Sequence, residues 1–114
     1  MLVSTCTNHK ALPGQIVIYS LSSTENFVFD LKRPMRTVAL EPEFAKRGTR
    51  AFICGGTAGT LVMHEKGWLG HKETMLHQGE GPIYQVRWRG RLVAWANDLV
   101  CPIFACRVCI LTLF

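Results

Sequence analysis

Two stretches of the chain share a two-residue rhythm. Met35, Thr37 and Ala39 alternate with Arg36, Val38 and Leu40, and Tyr84, Val86 and Trp88 repeat the pattern further on. Successive side chains of a strand point to opposite faces, so this rhythm predicts strands with one face buried. Phe52-Ile53-Cys54 and Leu92-Val93-Ala94-Trp95-Ala96 are apolar without interruption, which predicts central strands covered on both sides. Turn residues separate these runs at Gly55–Gly59, Gly67, Gly79–Pro82 and Trp88–Arg91. The charge-rich segment 41–50, with Pro42, predicts a solvated loop or one helical turn, and nothing else reads as a helix. The predicted strands are 2–6, 15–19, 26–30, 35–40, 51–55, 60–64, 72–77, 83–88 and 92–97.

These strands fall into a repeat. Gly14–Tyr19 aligns with Gly59–His64 at a shift of 45 residues, and Pro34–Leu40 with Pro82–Trp88 at a shift of 48. Val28-Phe29-Asp30 and Met75-Leu76-His77 lie just upstream of the two prolines, and Val3–Cys6 pairs more weakly with Phe52–Cys54. Four short apolar segments per period of about 45 residues mark a propeller blade. The expected fold is therefore all-β: an incomplete β-propeller of about two to three antiparallel blades. It holds the end of one blade, one whole blade and the first half of a third. A closed propeller of four blades needs roughly 160 residues, and this chain has 114.

The repeat breaks after Asn97-Asp98. The pattern asks for a third strand led by glycine, and the chain instead runs Leu99 to Phe114, with three of the five cysteines and hardly any polar residue. Two regions are expected: a partial propeller over 1–98 and a divergent, cysteine-rich apolar tail over 99–114.

From Lys32 to Asp98 the residues themselves are distinctive. Lys32–Pro42, Phe52–Gly56, Leu76–Ile83 and Val86–Asp98, above all His77-Gln78-Gly79-Glu80-Gly81 with Trp88-Arg89-Gly90 and Ala94-Trp95-Ala96-Asn97, resemble the N-terminal propeller of the vacuolar protein sorting-associated protein 41 family. That family supplies a subunit of the HOPS tethering complex. The resemblance implies WD-repeat-like blades without catalysis or cofactor, and a part in vesicle tethering and protein transport to the vacuole or lysosome. It further implies other HOPS subunits and a late-endosomal Rab GTPase as partners, and a cytoplasmic location, peripheral on late-endosome or vacuole membranes. The resemblance covers about residues 14–98 and is not expected to extend to the family's helical solenoid, most of its blades or the RING-type zinc module that some members carry.

Composition and motifs leave few other chemistries. Apolar residues make up 48% and charged residues 18%, which excludes a disordered chain. The net charge of +5 is spread along the chain rather than gathered in a tail. Met1–Lys10 lacks a signal-peptide pattern, so the five cysteines are expected as reduced thiols. Cys101, Cys106 and Cys109 are spaced C-x4-C-x2-C, part of a plant-type iron–sulfur run, with Cys54 or Cys6 as the fourth ligand. Coincidence within an apolar tail is the preferred account. His64, His71 and His77 match no zinc motif and read as structural or solvated. Gly55–Thr60 lacks the Gly-Lys-Ser/Thr of a phosphate loop and precedes a strand, so it reads as a turn. No nucleophile elbow or carboxylate pair points to an enzyme.

Arg87, Arg89 and Arg91 with Trp88 and Trp95 form the one basic–aromatic cluster that a nucleic acid would use. Alternating arginine and apolar residues also describe a half-buried strand, and no nucleic acid is expected. Residues 99–114 fall short of the roughly 20 apolar residues that span a bilayer, and Arg107 interrupts them. The alternatives to a tethering scaffold are a truncated gene product without function, a nucleic-acid-binding β module and a small membrane-anchored protein.

Open blade faces carry a cost. Phe52, Trp88 and Trp95 are expected on such faces, and each large side chain left in water forgoes roughly 1.5–3 kcal/mol. Against a total stability of about 5–15 kcal/mol, several such losses matter. The isolated chain is therefore expected to self-associate or aggregate. Sedimentation at tens of micromolar checks this; a monomer with one cooperative thermal transition would refute it.

Overall fold

The computed structural model describes residues 2–6, 15–19, 26–31, 33–42, 44, 50–67, 70–79, 81–97 and 107–113. Within them lie ten strands and no helix: β1 (Leu2–Cys6), β2 (Gln15–Tyr19), β3 (Asn26–Asp30), β4 (Met35–Leu40), β5 (Phe52–Gly56), β6 (Thr60–Gly67), β7 (Gly70–Gln78), β8 (Ile83–Arg89), β9 (Leu92–Asn97) and β10 (Arg107–Thr112). They form three antiparallel sheets in the orders β1-β2-β3, β4-β5-β6-β7 and β10-β9-β8. Each strand pairs with its sequence neighbour, as propeller blades do. The repeat is visible in the sheets. The inner strands β4 and β8 carry matching bulges, between Met35 and Thr37 and between Ile83 and Gln85. They are tied together where Val86 N donates to Thr37 Oγ1 at 3.1 Å.

Two cores hold the sheets together. Ile16, Ile18, Leu31, Met35, Phe44, Phe52 and Cys54 are buried between the first sheet and the second. Ile53, Leu61, Met63, Ile83, Val86, Val93, Trp95 and Leu113 are buried between the second and the third. Strand β5 serves both, sending Phe52 and Cys54 one way and Ile53 the other. Where β5 faces β8 the Ile83 side chain rests on the β5 backbone: a Cβ on Gly55 would lie 2.7 Å from Ile83 Cγ2. The turn after β5 is equally tight. Gly59 has φ +77°, its carbonyl accepts from Gly79 N at 3.1 Å, and a side chain there would meet the Gly81 carbonyl.

Four features depart from the sequence reading. The third blade has a third strand, because β10 pairs with β9 from Arg107↔Asn97 to Thr112↔Leu92 and Leu113 N donates to Arg91 O at 2.7 Å. Pro102, which could not donate to such a ladder, lies outside the described residues. The segment after β4 is not a solvated loop at its start: Glu41 and Phe44 are buried, Ala51 N donates to Glu41 Oε1 at 3.0 Å, and Phe44 N closes a turn on Glu41 O. Phe52 and Trp95 do not lie on open faces, since neighbouring sheets cover both. The open faces instead show Val28 on the first sheet and Leu92 and Ile110 on the third. Ile110 lies 70% exposed opposite Ala94, on the side of its sheet turned away from the second sheet, which Val93, Trp95 and Leu111 face. Finally, β6 and β7 outrun their predicted lengths, pairing as far as Gly67↔Gly70.

One buried polar group sits in the first core. His64 stacks on Phe52 with centroids 4.8 Å apart and planes 10° from parallel. Its Nδ1 lies 2.9 Å from His71 Nε2 and 3.7 Å from Glu73 Oε1. Its Nε2 is buried without a hydrogen-bond partner among the described residues. Burial holds the His64 pKa below its ordinary value; Glu73 pulls it back up and His71 pushes it further down.

Two outcomes follow. Gly55→Val forces the second and third sheets apart at Ile83, and urea denaturation is expected to show a loss of about 1–3 kcal/mol; an unchanged midpoint would refute the close approach. His64 is harder to protonate folded than unfolded, so the unfolded chain takes up its proton first as pH falls below about 6.5. Stability should therefore decline through that range, and His64→Leu should flatten the decline measured by denaturation across pH.

Candidate interaction surface

Sheet stacking leaves a groove of about 550 Å³ between the first two sheets. Phe27 and Phe29 from β3, Phe44 from the turn after β4, Arg50, and Lys66, Gly70 and His71 from the β6–β7 hairpin line it. The strand alternation that buries Ile16 and Ile18 on β2 turns Phe27 and Phe29 to the same side of the sheet. Phe44 meets Phe27 edge to face, with centroids 6.2 Å apart. Arg50 lays its guanidinium over the Phe27 ring, 4.6 Å from the centroid, an attraction of a cation for the ring's negative face. His71 lies against Phe29 at 5.3 Å. A separate hollow of about 190 Å³ lies beside it, lined by Arg33, Met35, Thr60, His64, Glu73 and Met75 among others. Glu73, the carboxylate nearest to His64, lies there rather than in the groove.

The residues singled out in the sequence separate in space. Cys54 faces the first core and Cys109 the second, so the two do not meet. Cys101 and Cys106 lie outside the described residues, as does the Cys6 side chain. Burial pushes the Cys54 thiol up to about 12, so it is a protonated core group at neutral pH. Among the described residues no group of three His, Cys, Asp or Glu could hold a metal. Gly55–Thr60 is a strand, a turn and a strand. His77 packs its ring against Trp95 at 5.1 Å.

The basic–aromatic cluster also divides. Arg87 and Arg89 are exposed on one face of β8, while Trp88 packs against the second core and Trp95 is buried in it. Trp88 Nε1 donates to Gly90 O at 3.1 Å. The tryptophan rings are thus turned away from Arg87 and Arg89. Among the described residues no helix is long and apolar enough to cross a membrane.

The groove was not visible in the sequence, because its walls come from residues 27 to 71. Only the Phe27/Phe29 alternation hinted at it. Its groups suit binding rather than bond-making: three phenyl rings, a guanidinium, an ammonium and an imidazole.

Comparison with known proteins agrees with this architecture. A family model described as "Vps42 beta-propeller", of the Vps41 propeller type, matches residues 4–109, a range that reaches into β10. Vacuolar protein sorting-associated protein 41 homologs of Solanum lycopersicum and Arabidopsis thaliana are 49% and 48% identical, each over 75% of this chain and 9% of the relative. The Schizosaccharomyces pombe protein of that name is 37% identical over 83% of the chain and 11% of its own length. The chain thus spans about a tenth of the length of these relatives. No solved structure matches significantly. The blade order, the paired cores and the extent of these matches lead to one conclusion: the chain belongs to the Vps41 β-propeller family.

Proposed function

We propose that this chain is a non-enzymatic interaction module of the vacuolar protein sorting machinery, contributing propeller blades to a HOPS-type tethering assembly. The match to the Vps41-type propeller over residues 4–109 carries this reading, and the relatives' names tie that propeller to vacuolar sorting. The structure supports it through the kind of surface it offers. Stacked blades present rigid grooves and rims built from several strands, which suit partner docking better than bond-making. The expected partners are other tethering subunits and a late-endosomal Rab GTPase. Membrane association is then peripheral, through those partners, at late endosomes and the vacuole.

Affinity purification of the tagged full chain from cells, read by mass spectrometry, tests the proposal. Tethering subunits should be enriched over an unrelated propeller fragment of similar size, and the enrichment should fall for Gly55→Val. Absence of those subunits from a soluble, folded preparation would overturn it.

A further inference from the structure

We infer that the groove between the first and second sheets is a docking site for an acidic peptide segment that carries a large apolar side chain. The inference stands on the groove's own walls and does not depend on the tethering reading. Both sheets that form it belong to this chain, so no further blade is needed to complete it. Phe27, Phe29 and Phe44 supply an apolar floor, and aromatic walls favour a ring or branched aliphatic side chain. Arg50, Lys66 and His71 supply the polar groups. Among the described residues no carboxylate lines the groove, so the described walls offer cations and an imidazole to an incoming carboxylate.

Arg50 is held for such a role. It stacks on Phe27, and it is the one non-glycine among the described residues with a positive φ, 42°. A guanidinium fixed by stacking keeps its fork of donors free for a carboxylate, at little further loss of side-chain freedom. Lys66 sits opposite His71 in the hairpin register, which places a second cation beside an imidazole. His71 is engaged with His64 through one ring nitrogen and lies against Phe29 at the groove wall. Apolar floor and cationic rim together match one occupant: a short acidic stretch around a single aromatic or aliphatic residue.

The test uses the full chain and a fluorescein-labelled synthetic peptide with glutamates flanking one central phenylalanine, read by fluorescence polarisation. Two control peptides replace the glutamates with glutamines or the phenylalanine with alanine. Saturable binding of the first peptide is expected, with both controls weaker by about tenfold or more. Arg50→Glu with Lys66→Glu should abolish binding. Lys66→Glu alone, an exposed hairpin position, should weaken it while leaving the thermal transition in place. Equal binding of all three peptides, binding unchanged in the Lys66→Glu chain, or no saturable binding would overturn the proposal. So would preferential binding to vesicles of anionic phospholipid over the peptide, since that would assign the cations to a membrane surface.

Discussion

The burial of β5 on both faces is the constraint on which the other contacts depend. Phe52 and Cys54 enter one core and Ile53 the other, all fully buried. A sheet in a two-layer protein hides one face; the middle sheet here hides two, and so sets the position of both neighbours. Each large side chain on β5 is worth roughly 1.5–3 kcal/mol of burial, but only with both neighbouring sheets in place. Stability in such a stack is a sum of interfaces rather than a property of any one blade. The free faces of the outer sheets, marked by Val28 on one and Leu92 and Ile110 on the other, show the same dependence from the opposite side.

The glycines act where that stacking becomes too close for a side chain. Gly55 lets Ile83 approach β5, and Gly59 lets the β5–β6 turn rest against Gly79 and Gly81 in the link between the second and third sheets. Gly59, Gly79 and Gly81 also have positive φ, a region that other residues seldom adopt. The distinctive Gly-rich stretch between β7 and β8 therefore has a mechanical reason: it is the hinge at which one blade ends, the next begins, and a turn from inside the blade packs on both.

Two polar groups enter the space between the first and second sheets against aromatic rings. His64 is covered by Phe52 and answered by His71, and Arg50 is laid on Phe27. His64 lies inside the core, while His71 and the Arg50 guanidinium line the groove at its mouth. Phe29 joins the core to the groove, in ring contact with both Phe52 and His71. The groove is thus continuous with the core, and the groups that would meet a partner are held by the packing that holds the blades.

Strand positions and the blade repeat were legible in the sequence, because alternation and turn glycines are local properties of the chain. Nine of the ten described strands lie within a few residues of the pattern. β10 was not legible: residues 99–114 are apolar almost throughout, and a run without alternation does not say which residues pair or with what. Register with β9 decides that, turning Cys109 and Leu111 inward and Ile110 outward. The same limit explains Phe52 and Trp95. An uninterrupted apolar run placed each in a strand, but only the stacking of a second sheet determined that its face was covered. It also hid the groove, whose phenylalanines and cations come from β3, the turn after β4 and the β6–β7 hairpin. What a residue does along its own strand follows from its neighbours in the chain; what it meets across the gap between blades follows from the stacking of sheets.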